Sequence, residues 1–343
     1  MAQAATMATS RTTPLSDGAA RRTVGPGSGI AATVRRDSRW VRTIGPRRHT
    51  RCAWATVAHG PTLAAMTTAF VLSGGASLGA TQAGMLQALY ERDIRPDLFV
   101  GTSAGALNAG FAAGRPSTVD TAIELQRIWL GLSRSQVFPA SPLTAALGAL
   151  GVRDHSFPPS GLQRVIERHC DFARLEDAAV PVHVVAADVL TGEEVLLSHG
   201  PVVDALLASA AIPGVFPPVV WDGRLLMDGG IVDNVPIRHA VELGADRVFV
   251  LPAMGPSRLE EAPRGAVAAA MTAITRAITL RLEEDVGRYG GIVDLMVLPA
   301  PILPGLLPTD FGHADELIEQ GLHRARGELR RHRAPARSLR RAA

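Results

Sequence analysis

The segment from Asp97 to Gly110 constrains the fold of this chain most, because an apolar run leads through Gly-Thr-Ser-Ala-Gly into a series of small residues. This order predicts a strand, a sharp turn and a helix. A serine on such a turn presents its hydroxyl at a helix N-terminus, and neighbouring glycines add no Cβ atoms that would crowd it. Ser103 is therefore the candidate nucleophile, and Gly101 and Gly105 form the elbow. A chain with 34 glycines also produces this motif by chance, so the interpretation depends on its surroundings.

The residues around this segment predict an α/β fold. The apolar run Ala69–Ser73, the helical pattern of Gly79–Glu91 and the strand into Ser103 form a βαβ unit with parallel strands and a right-handed crossover. Both glycine-rich turns then lie at the C-terminal edge of the sheet, where ligands bind in open α/β sheets. Further strands are predicted at 182–189, 194–198, 225–227, 247–252 and 292–298, and further helices at 117–132, 160–170, 201–211, 235–243, 265–287 and after 310.

The charges divide the 343 residues into an acidic body with basic ends. Residues 1–66 hold 10 Arg against 2 acidic residues and residues 324–343 hold 8 Arg against 1, whereas residues 67–323 hold 17 Arg against 29 acidic residues. We predict a disordered N-terminal extension over 1–66, a folded domain over 67–300, and a helix with an Arg-rich tail over 301–343. Because the positive charge lies in tails with few aromatic residues, nucleic-acid binding is not expected.

The N-terminal extension resembles an organelle transit peptide in composition, since it is rich in Arg, Ser and Thr and poor in acids. It lacks a clear amphipathic helix and the apolar core of a secretion signal. We favour a translation start at Met66, whose following residues run directly into the first strand. Peptides from upstream of Met66 in an intact-mass analysis of the native protein would contradict this hypothesis.

Residue types exclude several kinds of chemistry. All 35 basic residues are arginine, so neither a Schiff-base lysine nor a P-loop lysine is available. The two cysteines, Cys52 and Cys170, allow no disulfide framework or cysteine-based metal site and fit a cytoplasmic protein. The uncharged stretch from Cys52 to Tyr90 is interrupted by Pro61, glycines and hydroxyl residues, so we predict no transmembrane helix.

A serine nucleophile needs a base, and none of the ten histidines has a recognisable flanking signature. Asp228 follows an apolar strand and precedes Gly229 and Gly230, so its carboxylate lies at a tight turn that a substrate can approach. Nearby apolar side chains would raise its pKa by desolvation, which suits a group that accepts a proton. The alternative is that Asp-Gly-Gly is only a turn.

The turn Gly74-Gly75-Ala76-Ser77 offers backbone N–H groups at a helix N-terminus, where an oxyanion can bind. A loop for a nucleotide phosphate is the alternative. The dinucleotide fingerprint would need glycine at 74, 76 and 79, and position 76 is alanine. The second strand also ends in a serine elbow rather than an acidic residue, so we predict no dinucleotide site.

Together the Gly-rich turn, Gly-Thr-Ser-Ala-Gly and Asp-Gly-Gly, in this order, resemble the patatin-like phospholipase family. Residues 208–218 (ASAAIPGVFPP) and 228–236 (DGGIVDNVP) look like its signature segments. The resemblance covers residues 68–250 strongly and continues loosely to about 298. It implies a three-layer α/β/α fold with a mainly parallel central sheet and a Ser-Asp dyad without histidine.

By this resemblance Ser103 attacks an ester carbonyl, Asp228 is the general base, and the backbone N–H groups of Gly74, Gly75 and Ala76 form the oxyanion hole. The implied substrates are phospholipids, lysophospholipids, glycerides or simple esters, and the dyad needs no metal or cofactor. Two positions depart from the family pattern, since Ala76 replaces a usual glycine and Leu78 stands where arginine is frequent.

Two other functions remain open at the level of sequence. A conventional α/β-hydrolase would use a Ser-His-Asp triad, although there the elbow follows several earlier strands. A lipid-binding or regulatory protein would keep the fold without turning over ester. The apolar segment 143–152 is either an ordinary buried turn of helix or part of a lid or lipid-facing surface. With the apolar segment 302–307 and the basic tails, the second alternative suggests peripheral contact with a lipid surface.

Overall fold

The computed structural model describes residues 66–139, 155–255, 265–301 and 309–332, all within one compact unit that spans residues 62–343. The predicted N-terminal extension up to residue 65, the tail from 333 and the apolar segments 143–152 and 302–307 lie outside the described residues. Within the described ranges, no helix combines the length and apolar character that a bilayer span requires.

One sheet contains the strands of the described residues, and its path of paired strands is β5-β6-β3-β2-β1-β7-β8, with β4 also paired to β3. β1, β2, β3, β7 and β8 are mutually parallel, whereas β4 and β6 run antiparallel to β3. The predicted mainly parallel sheet is confirmed. The strands are β1 (Thr68–Leu72), β2 (Leu98–Thr102), β3 (Val182–Asp188), β4 (Glu194–Leu197), β5 (Val219–Trp221), β6 (Arg224–Asp228), β7 (Arg247–Leu251) and β8 (Asp294–Val297).

Helices cover both faces of this sheet, as the three-layer α/β/α prediction requires. Side chains alternate between the faces of a strand, and in β1 Phe70 and Leu72 enter one core while Ala69 and Val71 enter the other. Helices α1, α2, α3, α5, α6 and α9 pack in the first core, and α7 and α8 in the second. The helices are α1 (Ala80–Tyr90), α2 (Ala104–Ala113), α3 (Val119–Gly131), α4 (Arg134–Val137), α5 (Ser160–His169), α6 (Val202–Ser209), α7 (Ile237–Glu242), α8 (Ala266–Tyr289) and α9 (Ala314–Arg331).

Neither strand β5 nor the short helix α4 is among the elements predicted from the sequence. β5 and β6 form a hairpin whose two turn residues, Asp222 and Gly223, have φ of 47° and 78°. Positive φ at both central residues matches the twist of the flanking strands, and Asp-Gly is a preferred pair there. That dipeptide was the available signal for the hairpin.

The register of β3 brings the ends of two distant strands together. β4 pairs with Val184–Ala187 along one edge of β3. β2 pairs with Val182–Val185 and β6 with Ala186–Asp188, and each range overlaps that of β4. Because a strand has only two edges, β2 and β6 both lie along the edge opposite β4. Because β2 runs parallel and β6 antiparallel to β3, their C-terminal ends meet near the middle of this edge. Ser103 follows the last residue of β2 and Asp228 ends β6, so the sheet places them side by side.

Candidate active site

Ser103 lies on a strained elbow between β2 and α2. Its backbone has φ of 53° and ψ of −123°, a conformation that non-glycine residues rarely adopt and that is frequent at functional sites. Gly105 explains why the helix can begin so close to the sheet, because a Cβ there would lie 2.2 Å from the Leu72 carbonyl oxygen. At Gly101 a Cβ would lie 2.7 Å from the Gly105 oxygen. The predicted elbow glycines are thus required by close backbone packing.

A buried serine that sequence reasoning missed holds this elbow. The Ser103 N–H donates to Ser209 Oγ at 2.9 Å, and the Ser209 hydroxyl donates to the Val185 carbonyl oxygen at 2.6 Å. Ser209 ends α6 and is fully buried. It connects the strained backbone of Ser103 to the middle of β3. The sequence placed Ser209 in a signature segment but contains no local signal for this long-range contact.

The Asp228 carboxylate lies within hydrogen-bonding distance of the candidate nucleophile. Ser103 Oγ donates to Asp228 Oδ2 at 2.6 Å, and the Gly230 N–H donates to Asp228 Oδ1 at 2.7 Å. Burial raises the pKa of Asp228 to about 6, while the hydrogen bonds from Ser103 and Gly230 act in the opposite direction. At neutral pH the carboxylate is therefore ionised but more basic than an exposed aspartate, so it can accept the serine proton.

The two glycines after Asp228 fit a turn that has no room for side chains. A Cβ on Gly229 would lie 2.4 Å from the Val185 carbonyl oxygen, and one on Gly230 would lie 2.9 Å from Asn234 Oδ1. The Asp-Gly-Gly sequence thus lets the chain turn directly beneath the carboxylate. These contacts explain why glycine follows the aspartate at both positions.

The glycine-rich turn packs directly against Ser103, since a Cβ on Gly74 would lie 3.1 Å from Ser103 Cβ. The Gly74 N–H, however, already donates to the Asn234 carbonyl oxygen at 3.2 Å. Gly74 is therefore corrected from a predicted oxyanion donor to a packing residue. Gly75 and Ala76 precede or begin a 3-10 turn, where N–H groups lack intrahelical acceptors. These two N–H groups stay the candidate oxyanion donors.

Ala76 adopts the left-handed conformation, with φ of 49°. Alanine can replace the glycine that is usual in the family without a steric penalty only where φ is negative, so Ala76 is strained at this position. Leu78, the other departure from the family pattern, packs its side chain against the main core. The two departures therefore differ, because Ala76 affects the backbone of the turn and Leu78 adds apolar packing.

We expect Ala76→Gly to stabilise the protein by about 1 kcal/mol, because glycine accepts positive φ without a steric penalty. Thermal unfolding of both proteins measures the effect. Gly131→Ala is a control in the opposite direction. Gly131 ends α3, and no atom lies within 4 Å of a Cβ at this position, so this change should not destabilise the protein. A lower melting temperature for Ala76→Gly would contradict the strain that we assign to this turn.

An apolar cavity opens beside Ser103 between α2, α3, α5 and α6. Ser103 and Ala76 both line this cavity, so the candidate nucleophile and a residue of the candidate oxyanion hole border the same space. His169 also lines this cavity, but the side chain bonded to Ser103 Oγ is the Asp228 carboxylate. The apolar wall includes Leu107, Phe111, Trp129, Ile166, Leu206 and Phe216.

A family model for the patatin-like phospholipases matches residues 70–241, which is half of the chain and includes Ser103 and Asp228. The chain belongs to the patatin-like phospholipase family. The elbow at the candidate nucleophile and the Asp-Gly-Gly turn of this family member both lie inside the matched region. The match confirms the resemblance and the α/β fold class expected from it.

Three curated relatives match part of this patatin-like chain. An uncharacterised NTE family protein of Mycobacterium tuberculosis is 35% identical over 52% of this chain and 46% of its own length. Lysophospholipase NTE1 of Mycosarcoma maydis is 30% identical over 55% of this chain and 10% of its own length. Human patatin-like phospholipase domain-containing protein 6 is 30% identical over 54% of this chain and 13% of its own length. This chain therefore spans half or less of the relatives that it matches.

Two solved structures resemble the chain more distantly. VipD from Legionella pneumophila is 16% identical with a TM-score of 0.41, covering 78% of this chain and 67% of its own. The second is human GIVD cytosolic phospholipase A2 in complex with methyl gamma-linolenyl fluorophosphonate. It is 13% identical with a TM-score of 0.42, and the match covers 77% of this chain and 58% of the phospholipase chain.

Proposed function

We propose that this protein is a serine hydrolase of fatty-acyl esters, with Ser103 as nucleophile and Asp228 as general base. The observation that carries the proposal is the Ser103 Oγ to Asp228 Oδ2 hydrogen bond of 2.6 Å at the wall of an apolar cavity. Family membership and the lysophospholipase name of one relative support a lipid ester as the substrate.

The proposed reaction has two halves. Ser103 Oγ attacks the ester carbonyl carbon while Asp228 takes its proton, and the oxyanion accepts hydrogen bonds from the Gly75 and Ala76 N–H groups. Asp228 then gives this proton to the departing alcohol, which leaves an acyl-enzyme on Ser103. Water, deprotonated by Asp228, attacks the acyl-enzyme, and the proton returns to Ser103 as the fatty acid is released.

A labelling experiment tests the proposal directly. We expect a fluorophosphonate probe to modify Ser103 in the folded protein and to leave Ser103→Ala unlabelled. The wild type, which is labelled, should also hydrolyse p-nitrophenyl esters, whereas Ser103→Ala should not. Failure to label folded protein would favour the alternative of a lipid-binding protein that no longer turns over ester. The strained backbone at Ala76 is the observation that supports this alternative.

The pH profile should identify the base. Since burial raises the pKa of Asp228 to about 6, kcat/KM should fall as pH decreases through about 6, where the carboxyl group gains a proton. We expect a plateau above this midpoint in an assay from about pH 4.5 to 8.5. His169→Asn should leave the profile unchanged, because Ser103 is bonded to Asp228 and not to an imidazole. A midpoint that disappears in His169→Asn would instead support a histidine base.

Acyl-chain preference should follow from the cavity, because each buried methylene contributes roughly 0.8 kcal/mol. We expect kcat/KM to be at least about tenfold higher for octanoyl than for acetyl p-nitrophenyl ester. Val165 lines the cavity and Val220 is exposed, so Val165→Trp should remove this preference and Val220→Trp should retain it. An equal profile in all three proteins would place the acyl chain outside this cavity.

A further inference from the structure

Asp233 is a buried carboxylate that the proposed reaction does not use. Its residue is 1% exposed, and neither carboxylate oxygen has a hydrogen-bond partner among the described residues. An ionised group in such surroundings is costly unless a cation or donor compensates it. The backbone around it is fully engaged, since the Asp233 N–H donates to the Gly229 oxygen and its carbonyl accepts from Thr102 Oγ1. The backbone N–H and carbonyl of Asp233 are thus both bonded, whereas its carboxylate has no hydrogen-bond partner among the described residues.

Two other donor groups converge on Asp233 from different elements. Ligand atoms of Asp233, Glu194 on β4 and His239 on α7 all lie within 4.8 Å of one another. His239 Nε2 contacts Glu194 Oε1 directly. The Glu194 side chain keeps 17% of its surface exposed, so solvent reaches this edge of the cluster. An imidazole nitrogen and two carboxylates thus surround one point.

Neighbouring groups orient these donors. Arg238 Nη2 lies 2.9 Å from Glu194 Oε2 and leaves Oε1 directed towards His239. His239 Nδ1 lies 3.7 Å from Glu242 Oε2, which is a charge contact longer than a hydrogen bond. His239 Nε2 itself contacts Glu194 Oε1 and lies 3.4 Å from Arg238 Nη2, so a metal ion would take the place of these contacts.

The local charge also favours a divalent cation. Four carboxylates lie in or beside the cluster, those of Glu194, Asp233, Glu242 and Asp285. Two guanidinium groups, those of Arg238 and Arg281, accompany them. Among these residues the carboxylates therefore outnumber the guanidinium groups by two, an imbalance that favours binding of a cation.

We propose that Glu194, Asp233 and His239 bind a divalent transition-metal ion, Zn²⁺ or Mn²⁺. One imidazole and two carboxylates match the donors that these ions use, whereas Ca²⁺ and Mg²⁺ prefer oxygen ligands alone. None of these three residues lines the apolar cavity, so the proposed ion has a positioning role and does not touch the substrate.

The ion would stabilise the segment that connects both halves of the candidate active site. Asp233 lies between the Asp228 turn and Asn234, whose side-chain nitrogen donates to the Gly74 oxygen at 3.3 Å. The Asp233 carbonyl also accepts from Thr102, the residue before Ser103. A metal that joins β4, this segment and α7 would therefore restrain the base, the elbow and the glycine-rich turn together.

Titration of chelator-treated full-length protein with Zn²⁺ or Mn²⁺ tests the site. We expect one ion per chain, a higher melting temperature with the ion, and an electron paramagnetic resonance signal from bound Mn²⁺. Asp233→Asn and His239→Gln should each weaken binding at least about tenfold. Glu319→Gln, an exposed change on α9 at the other face of the sheet, should bind as the wild type does.

Binding in Ser103→Ala should equal that of the wild type, so the metal result does not depend on ester hydrolysis. Circular dichroism checks that Asp233→Asn folds, and His239→Gln provides a second variant if it does not. The proposal is overturned if neither ion binds at one equivalent, if Ca²⁺ or Mg²⁺ binds more tightly, or if both variants retain wild-type affinity. In these cases the contact between Glu194 and His239 is structural, and the Asp233 carboxylate stays without a hydrogen-bond partner among the described residues.

Discussion

Asp228→Asn is expected to lower kcat for ester hydrolysis by at least about ten-thousandfold, because an amide cannot accept the Ser103 proton. The same loss is expected for Ser103→Ala, since the two residues act as a unit and the effects should not add. Initial rates on p-nitrophenyl octanoate measure both variants. Asp204→Asn on α6 is the matched control, because this exposed carboxylate makes no contact with the site. A variant at Asp228 with more than about 1% of wild-type activity would contradict the assigned base.

The same substitution should stabilise the protein at neutral pH. The pKa of Asp228 is raised by burial to about 6, so its favourable contribution to folding is present below the unfolded value and is lost as pH rises through about 6. The amide that Asp228→Asn introduces does not titrate, so the variant should gain roughly 1–3 kcal/mol over wild type at about pH 7.5 but little at about pH 4. Denaturant unfolding at both pH values measures this difference. Equal stability of the two proteins at the higher pH would mean that ionising the buried carboxyl group costs the fold nothing.

Gly105→Ala is expected to destabilise the fold by about 3 kcal/mol or more. The added Cβ would lie 2.2 Å from the Leu72 carbonyl oxygen and 2.6 Å from that of Ser73, and these backbone atoms belong to the central strand and the turn after it. Close-packed backbone cannot move aside as a flexible side chain can, so α2 must shift away from the sheet. Because α2 begins at the elbow, activity should fall with stability.

Chemical unfolding of Gly105→Ala measures this effect, and Gly131→Ala is the matched control. Both glycines lie in helices, but nothing lies within 4 Å of a Cβ at Gly131. The control should be neutral or slightly stabilising, since alanine favours helix. If Gly105→Ala unfolded like wild type, the close approach of α2 to β1 would be wrong.

Long elements with a clear period could be predicted from the sequence. The strand before Ser103 and the helix after it appear as predicted, because their apolar spacing and small residues are local signals. Strand β5 could not be placed by hydrophobic pattern, since it is three residues long and follows two prolines. Its signal was the Asp222-Gly223 pair at the turn.

Within the site, contacts through local motifs were easier to anticipate than contacts across the fold. Ser103 and Asp228 each end a strand and carry glycines, so the sequence pointed to both. Ser209 and Asp233 have no such motif. Ser209 accepts a hydrogen bond from Ser103, which is 106 residues away in the sequence, and Asp233 accepts one from Thr102, which is 131 residues away. The sequence also gives no sign that the Gly74 N–H is bonded, because its acceptor is the carbonyl oxygen of the distant residue Asn234.

The sequence by itself determined which residues can turn, which can pack and which carry reactive groups, because backbone conformation and hydrophobic period are set over a few residues. Only the tertiary structure decided which of them meet. β2 and β6 end against each other because both pair with the same edge of β3, and this register joins Ser103 to Asp228. The positive φ of Ala76 and the unpartnered carboxylate of Asp233 among the described residues likewise arise from packing between distant segments, which no local pattern encodes.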